Sequence, residues 1–331
     1  MKKPEIVATL GYSFIKNSEL IEKLLQEGVF NFRFNLCKGE DVSLLKQKIE
    51  LIRDVEKKYD YPINIMLDIP FPGKKPRIFL ENTDKIHVEK GEHLLITSPS
   101  VEPKNKKLKR IVIDVEHLEK KVDKTRNIVY SDGECTFDIV RYVEENIIEV
   151  KANESHTIYD RKSLSIGHIE KRERLPQDIL ELISNVKFDS IALSFVTNSK
   201  EVKYFKSLFP QVNIISKIEC PQGIAEVEKI SKISDVMLGR GDLCLTSDCF
   251  NLYCYQKKIA KICKKNRCKF YVATGILSSL CKQSIPSQAD IIDVSNLLLL
   301  SPDFIVLNFP LIYSKHNLAL KTIENIFQRV V

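Results

Sequence analysis

The chain has 331 residues, enough for one large α/β domain or two ordinary ones. A hydrophobic fraction of 44% and a charged fraction of 29% exclude a chain that is disordered throughout, and the net charge of +7 sits in local runs such as Lys104–Arg110 that read as solvated faces. With no Trp and no interleaving of aromatic and basic residues, a nucleic-acid partner is not expected.

The elements alternate almost from the start. Ile6–Leu10 reads as a strand, followed by a helix capped at Ser18 and stopped at Gly28. Asn31–Leu36 is a second strand, Asp41–Lys57 an amphipathic helix and Ile63–Ile69 a third, buried strand. From residue 70 to 173 the segments become short and charged, with turn signals at Glu81-Asn82, Lys90-Gly91, Ser131-Asp132-Gly133 and Ile166-Gly167. That stretch reads as a small all-β domain inserted after strand three.

Alternation then resumes. Strands are expected at Ser190–Phe195, Val212–Glu219, Asp235–Leu243, Lys269–Thr274 and Phe304–Leu307. Helices fall between them, and a last helix runs from His316 to Val330. Eight βα units over residues 1–69 and 174–331 predict a (β/α)8 TIM barrel with the inserted β domain. A doubly wound sheet is the alternative, but no GxGxxG follows strand one.

The composition narrows the setting. Nine cysteines, an odd number without a CxxC pair, read as free thiols of a reducing cytoplasm. The apolar stretch Ile291–Leu300 is broken by Asp293, Ser295 and Asn296, so no membrane span is expected. Eleven glycines are about half the usual ~7%, which makes their positions informative.

In a barrel, the site lies at the carboxyl ends of the strands. Strand two ends in Arg33, Asn35 and Cys37, strand three in Asp68, strand five in Lys217 and Glu219, strand six in Arg240, Gly241 and Asp242, and strand seven in Thr274. Glu219 and Asp242 suit a hard divalent cation, with Lys217 on the same face as Glu219 to stabilise negative charge on a bound substrate. Gly241 lets backbone N–H groups approach an anion. A layer of Lys–Glu and Arg–Asp ion pairs that merely caps the barrel is the alternative.

These stretches resemble the pyruvate kinase family. They are Ile6–Gly11, Arg33-Phe34-Asn35-Leu36-Cys37-Lys38-Gly39, Leu67-Asp68, Ile191–Val196, Ile214–Glu219, Gly239-Arg240-Gly241-Asp242-Leu243, Ala273-Thr274, Pro286–Asp290 and Asp293–Asn296, in the family's order over residues 5–325. The resemblance implies a glycolytic phosphotransferase acting on phosphoenolpyruvate. Glu219 and Asp242 would hold Mg2+ or Mn2+, and Lys217 would stabilise the enolate and the phosphoryl in flight. Arg33 would meet the phosphate, and Gly241, Asp242 and Thr274 would bind the carboxylate, with Thr274 near the face that is protonated. Asn35 and Asp68 would help to hold a monovalent cation, and residues 70–173 would be the family's lid.

The departures matter as much. Cys37 stands where the family has serine, and a thiol is a poor K+ ligand. One alignment of Pro72–Arg77 puts Lys75 where a lysine replaces K+ and Arg77 on the phosphate; Lys162 lies in the matching lid turn. Tyr12 and Lys38 replace residues expected around adenine, and Asn308-Phe309-Pro310-Leu311 replaces a Ser-Gly-Glu-Thr motif. Gly275 follows Thr274 without the family's glutamine, and Gln288 replaces an arginine. The family's C-terminal domain has no counterpart in the 331 residues, so the usual tetramer contacts are not expected. Three readings stand in order: phosphoryl transfer to ADP or another nucleoside diphosphate; a paralogue that keeps phosphoenolpyruvate or another 2-oxo acid but uses a different acceptor or reaction; and a non-catalytic metabolite sensor.

Overall fold

In the computed structural model, residues 2–11, 18–36, 42–104, 107–123, 127–131, 133–167 and 169–330 are described. The expectations at Tyr12, Cys37, Lys38 and Asp132 lie outside them. The chain divides into two compact units, residues 1–72 with 172–331, and residues 73–171.

The first unit is built on eight strands: β1 (Glu5–Leu10), β2 (Asn31–Asn35), β3 (Asn64–Lys74), β4 (Ser190–Ser194), β5 (Asn213–Ile218), β6 (Asp235–Gly239), β7 (Phe270–Ala273) and β8 (Phe304–Leu307). Neighbours pair in parallel around the series, and β8–β1 together with β2–β3 closes it. Closure makes a (β/α)8 barrel and rules out an open doubly wound sheet, which keeps two free edges.

The helices are α1 (Glu19–Gln26), α2 (Val42–Tyr59), α3 (Gln177–Asn185), α4 (Ser199–Leu208), α5 (Pro221–Ile230), α6 (Arg240–Thr246), α7 (Leu252–Asn266), α8 (Gln288–Leu299) and α9 (Phe309–Val330). Local chemistry starts several of them. Asn198 caps α4 in a full capping box with Glu201, Pro221 opens α5, and Ser287 caps α8 through Asp290 N–H. The last helix is two segments joined at Lys315, whose backbone is not helical (φ −150°, ψ 33°).

Two strand ends differ from the sequence expectation. β3 does not stop near Asp68 but continues to Lys74, which pairs with Glu170. β6 stops at Gly239, and Arg240, Gly241 and Asp242 open α6 instead of ending the strand. The run Gly239–Leu243 has no period-2 alternation, and the Arg240 side chain is drawn sideways to partners beyond β7, so the chain turns there.

The barrel's two faces follow strand alternation. Outward residues such as Phe32, Phe34, Ile65, Ile214 and Ile218 pack under the helices in one continuous core. Inward residues Val7, Met66, Ala192, Ile215, Met237, Tyr271, Ala273 and Val306 fill the interior.

The second unit is predominantly β. A seven-stranded sheet runs in the order Leu164–Ser165, Ile128–Tyr130, Cys135–Glu144, Ile147–Ala152, His93–Thr97, Lys109–Ile113 and Ile78–Phe79, and Lys85–Val88 pairs separately with His156–Tyr159. Its turns fall at the expected signals: Asn82, Gly91, Ser131, Gly133 and Gly167 all have positive φ. At Gly167 a side chain would also strike Asp123, whose Cβ is 2.4 Å from the site a Cβ would take.

Candidate active site

Two residues beyond each inward core position lies the next inward layer, at the carboxyl mouth. Val7 leads to Thr9, Met66 to Asp68, Ala192 to Ser194, Ile215 to Lys217 and Met237 to Gly239; Arg33 faces inward because Phe32 and Phe34 face out. The polar site is therefore the last turn of the same alternation that builds the core.

Asp68 is the hub of that layer and is fully buried. Arg33 donates to Asp68 Oδ2 through Nε at 3.0 Å and through Nη2, and its Nη1 donates to Thr9 Oγ1 at 3.0 Å. On the other oxygen, Lys217 Nζ lies 3.1 Å from Asp68 Oδ1. Burial would raise the Asp68 pKa, but Lys217 and then Arg33 overcome it and hold the carboxyl below its ordinary value.

Lys217 spends all three of its donors here. Besides Asp68 it reaches Ser194 Oγ at 3.2 Å and Glu219 Oε1 at 3.0 Å. Glu219 is 2% exposed, and its other oxygen accepts the Phe195 N–H at 2.9 Å. Burial pushes the Glu219 pKa up to about 7; Lys217 opposes this, while the charges of Asp242 and Asp68 reinforce it. Asp242, half-buried in the first turn of α6, is thus electrostatically within reach of Glu219.

Thr274 follows β7 with a positive φ of 75° and an exposed side chain. Its carbonyl accepts from Arg240 Nε at 2.9 Å, and Asp293 on α8 grips the rest of that guanidinium with two bonds of 2.7 and 2.8 Å. Thr246 Oγ1 donates to the Glu219 carbonyl at 2.6 Å, tying α6 to the end of β5.

The structure therefore brings Arg33, Asp68, Lys217 and Glu219 into one bonded network, with Asp242 acting on it through charge. Asn35 is half-buried beside it on β2, opposite Asp68 in register. Lys75, Arg77 and Lys162 belong to the second unit, where Lys75 is buried. There Arg77 bridges to Ser163, and Ile78 N–H donates to the Lys162 carbonyl.

Ser194, Thr246 and Asp293 carry contacts that sequence reasoning did not assign. Ser194 had a signal, a hydroxyl inside the apolar run Ile191–Val196; Thr246 had none.

The donor chemistry fits a divalent cation. Glu219 and Asp242 are two carboxylates that repel each other at a barrel mouth, and burial pushes the pKa of Glu219 up to about 7. A cation that replaces the Glu219 proton would relieve the repulsion.

An eight-stranded parallel barrel with charged residues gathered at the carboxyl ends of its strands defines a (β/α)8-barrel enzyme. The profile described as "Pyruvate kinase, barrel domain" matches residues 1–309. The chain is 27% identical to the pyruvate kinase of Thermotoga maritima, covering 98% of this chain and 70% of that protein. It is 28% identical to that of Thermococcus litoralis (92% and 65%) and 28% identical to that of Borreliella burgdorferi (99% and 68%). This chain belongs to the pyruvate kinase family and is an enzyme of that phosphotransferase type. It spans about two thirds of the length of those relatives. Among the described residues, no helix is long and apolar enough to cross a membrane.

Proposed function

We propose that the barrel transfers the phosphoryl group of phosphoenolpyruvate to a nucleoside diphosphate and releases pyruvate. The observation that carries this reading is the Asp68–Lys217–Glu219 chain, which sets a buried ammonium beside a desolvated carboxylate at the ends of the strands. In the reaction the bond between phosphorus and the enol oxygen breaks as a bond to the β-phosphate oxygen of the acceptor forms. The enolate left behind takes a proton on carbon.

Glu219 and Asp242 would hold Mg2+ or Mn2+, which supplies Lewis-acid stabilisation of the anionic substrate oxygens. With Glu219 so engaged, Lys217 keeps its bonds to Asp68 and Ser194 and turns its third N–H to the substrate. Asp68 keeps Lys217 charged and aimed, which suits it to meet negative charge developing on the enol oxygen. Arg33 has three of its five N–H groups committed to Asp68 and Thr9, and the remaining two suit the phosphate. Backbone N–H groups at Gly241 and Asp242 and the Thr274 hydroxyl would take the carboxylate, with the Arg240–Asp293 pair holding the Thr274 backbone from behind.

Both oxygens of Asp68 already meet cationic side chains, which makes a monovalent ion at Asn35 and Asp68 dispensable. In this reading the unit of residues 73–171, which carries Lys75, Arg77 and Lys162, serves as the lid.

One observation favours a different acceptor. The Phe309 ring lies over Gly11 at the end of β1, so close that a Cβ at Gly11 would sit 2.7 Å from ring carbons. Phe309 stands in the segment that replaces Ser-Gly-Glu-Thr, so the mouth between β1 and β8 is apolar where the family carries a carboxylate. The deciding experiment measures pyruvate release from phosphoenolpyruvate and Mg2+ with a panel of nucleoside diphosphates, with and without K+. Turnover with ADP, independent of K+, supports phosphoryl transfer. Oxalate binding without turnover on any nucleotide overturns it in favour of another acceptor.

A further inference from the structure

At the amino end of the barrel, opposite the site above, a cavity of about 260 Å3 opens between the strand starts. At ~30 Å3 per water that is room for roughly eight or nine waters, the size of a small organic molecule. Tyr271 and Phe304 line it, stacked 4.3 Å apart with their planes within 6°. Glu5, Asp189, Asp235 and Lys269 stand around it; Lys2 pairs with Glu5 at 3.4 Å and Lys269 with Asp303 at 3.6 Å, which leaves Asp235 as the rim carboxylate with no cationic partner among the described residues once Asp189 has met Arg53.

Much of this rim is satisfied internally. Asp189 pairs with Arg53 at 2.7 Å and accepts the Ile65 N–H, and Asn31 donates to Glu5 at 3.1 Å. Such bonds hold strand starts together, which is the usual task of this face of a barrel.

Two groups keep capacity for a ligand beyond such bonds. Asp235 accepts from the Asn213 amide at 3.1 Å and from the Lys269 N–H at 2.8 Å, both neutral donors, and among the described residues no cationic side chain pairs with it. Tyr271 is only 6% exposed and lines the cavity, yet among the described residues nothing hydrogen-bonds its hydroxyl. Burial, then the charges of Asp235, Asp303 and Glu5, push its pKa up, so the phenol keeps its proton and its lone pairs stay open.

We propose that this cavity binds a small organic ammonium ion, whose N–H groups are shared between the Asp235 carboxylate and the Tyr271 hydroxyl oxygen and whose carbon chain lies against the Tyr271–Phe304 pair. The Asp235 carboxylate repels anions. A hard metal ion needs six or more oxygens closing to ~2.0–2.6 Å, whereas these oxygens start different strands and are tied to other donors. An ammonium on an alkyl chain matches both the acceptor-rich rim and the aromatic wall.

The test is calorimetric titration of the full chain with spermidine and 1,4-diaminobutane, with uncharged 1,4-butanediol as control. Saturable one-to-one binding of an amine is expected and none of the diol. Tyr271→Phe, which keeps the ring stack, should weaken binding by roughly fivefold, and Asp235→Asn by about tenfold or more. No saturable amine binding, equal binding of the diol, or undiminished binding in both variants overturns the proposal. Tyr271→Phe with an unchanged circular dichroism spectrum decides alone if Asp235→Asn does not fold.

Discussion

Glu219 occupies the space that any side chain at residue 239 would need: a Cβ on Gly239 would lie 2.7 Å from both Glu219 Cγ and Oε1. Gly239 has an ordinary backbone (φ −89°), so glycine is required there for room and not for conformation. The end of β6 is thus hollowed to admit the carboxylate of β5.

Gly239→Ala should therefore displace Glu219 while leaving the barrel folded. Overpacking of this kind costs about 1–3 kcal/mol. Calorimetry with Mg2+ and oxalate should show binding weakened by at least about tenfold, a loss that ~1.4 kcal/mol suffices to produce. Unchanged binding would place the cation elsewhere.

The raised Glu219 pKa fixes a pH signature. The unfolded carboxyl ionises near its model value of 4.5, the folded one near 7, so between those values the native state holds the extra proton. Stability from this group is therefore lost as pH rises from about 4.5 to about 7. Asp68 works the other way and lower down, its stabilisation being lost on acidification below the ordinary Asp range. Without divalent cations, melting temperatures across that window should fall less steeply in Glu219→Gln than in the parent. With Mg2+ present, stabilisation should grow toward pH 7 and above, because the cation no longer competes with a proton.

Asp68→Ala should be among the costliest substitutions in the barrel. It strands Arg33 and Lys217, whose side chains are 12% and 8% exposed, without their shared anion. Removing one partner of a buried pair costs about 3–5 kcal/mol, measurable by urea unfolding. Asp68→Asn keeps the shape and should lose less stability yet still lose turnover, since Lys217 then lacks the buried carboxylate that keeps it charged and aimed.

Asp293→Ala should act on Thr274 through Arg240. Asp293 is about a third exposed, so the loss should be about 1–3 kcal/mol, below that of a fully buried pair. A pyruvate-release assay should show kcat reduced more than KM is raised, and Arg240→Met in the same chain should recover part of the stability but not the rate.

The barrel was legible because its strands are short apolar runs bounded by turn and cap residues, and their number and spacing survive in one dimension. The site residues were legible singly, as polar residues closing those runs. Arg240, Gly241 and Asp242 were placed one element too early, because a tight strand-to-helix turn leaves no periodic trace over five residues. Tyr271 carries no signal in the sequence, since nothing local reveals that a hydroxyl ends in a cavity.

From the residues alone follow the order of elements, the inward and outward alternation, and membership of the family. The partnerships were decided only in three dimensions. Asp68 is shared by Arg33, 35 residues before it, and Lys217, 149 residues after it, because barrel closure brings β2, β3 and β5 to one layer. Alternation is a property of each strand, but which charges meet depends on the register between strands.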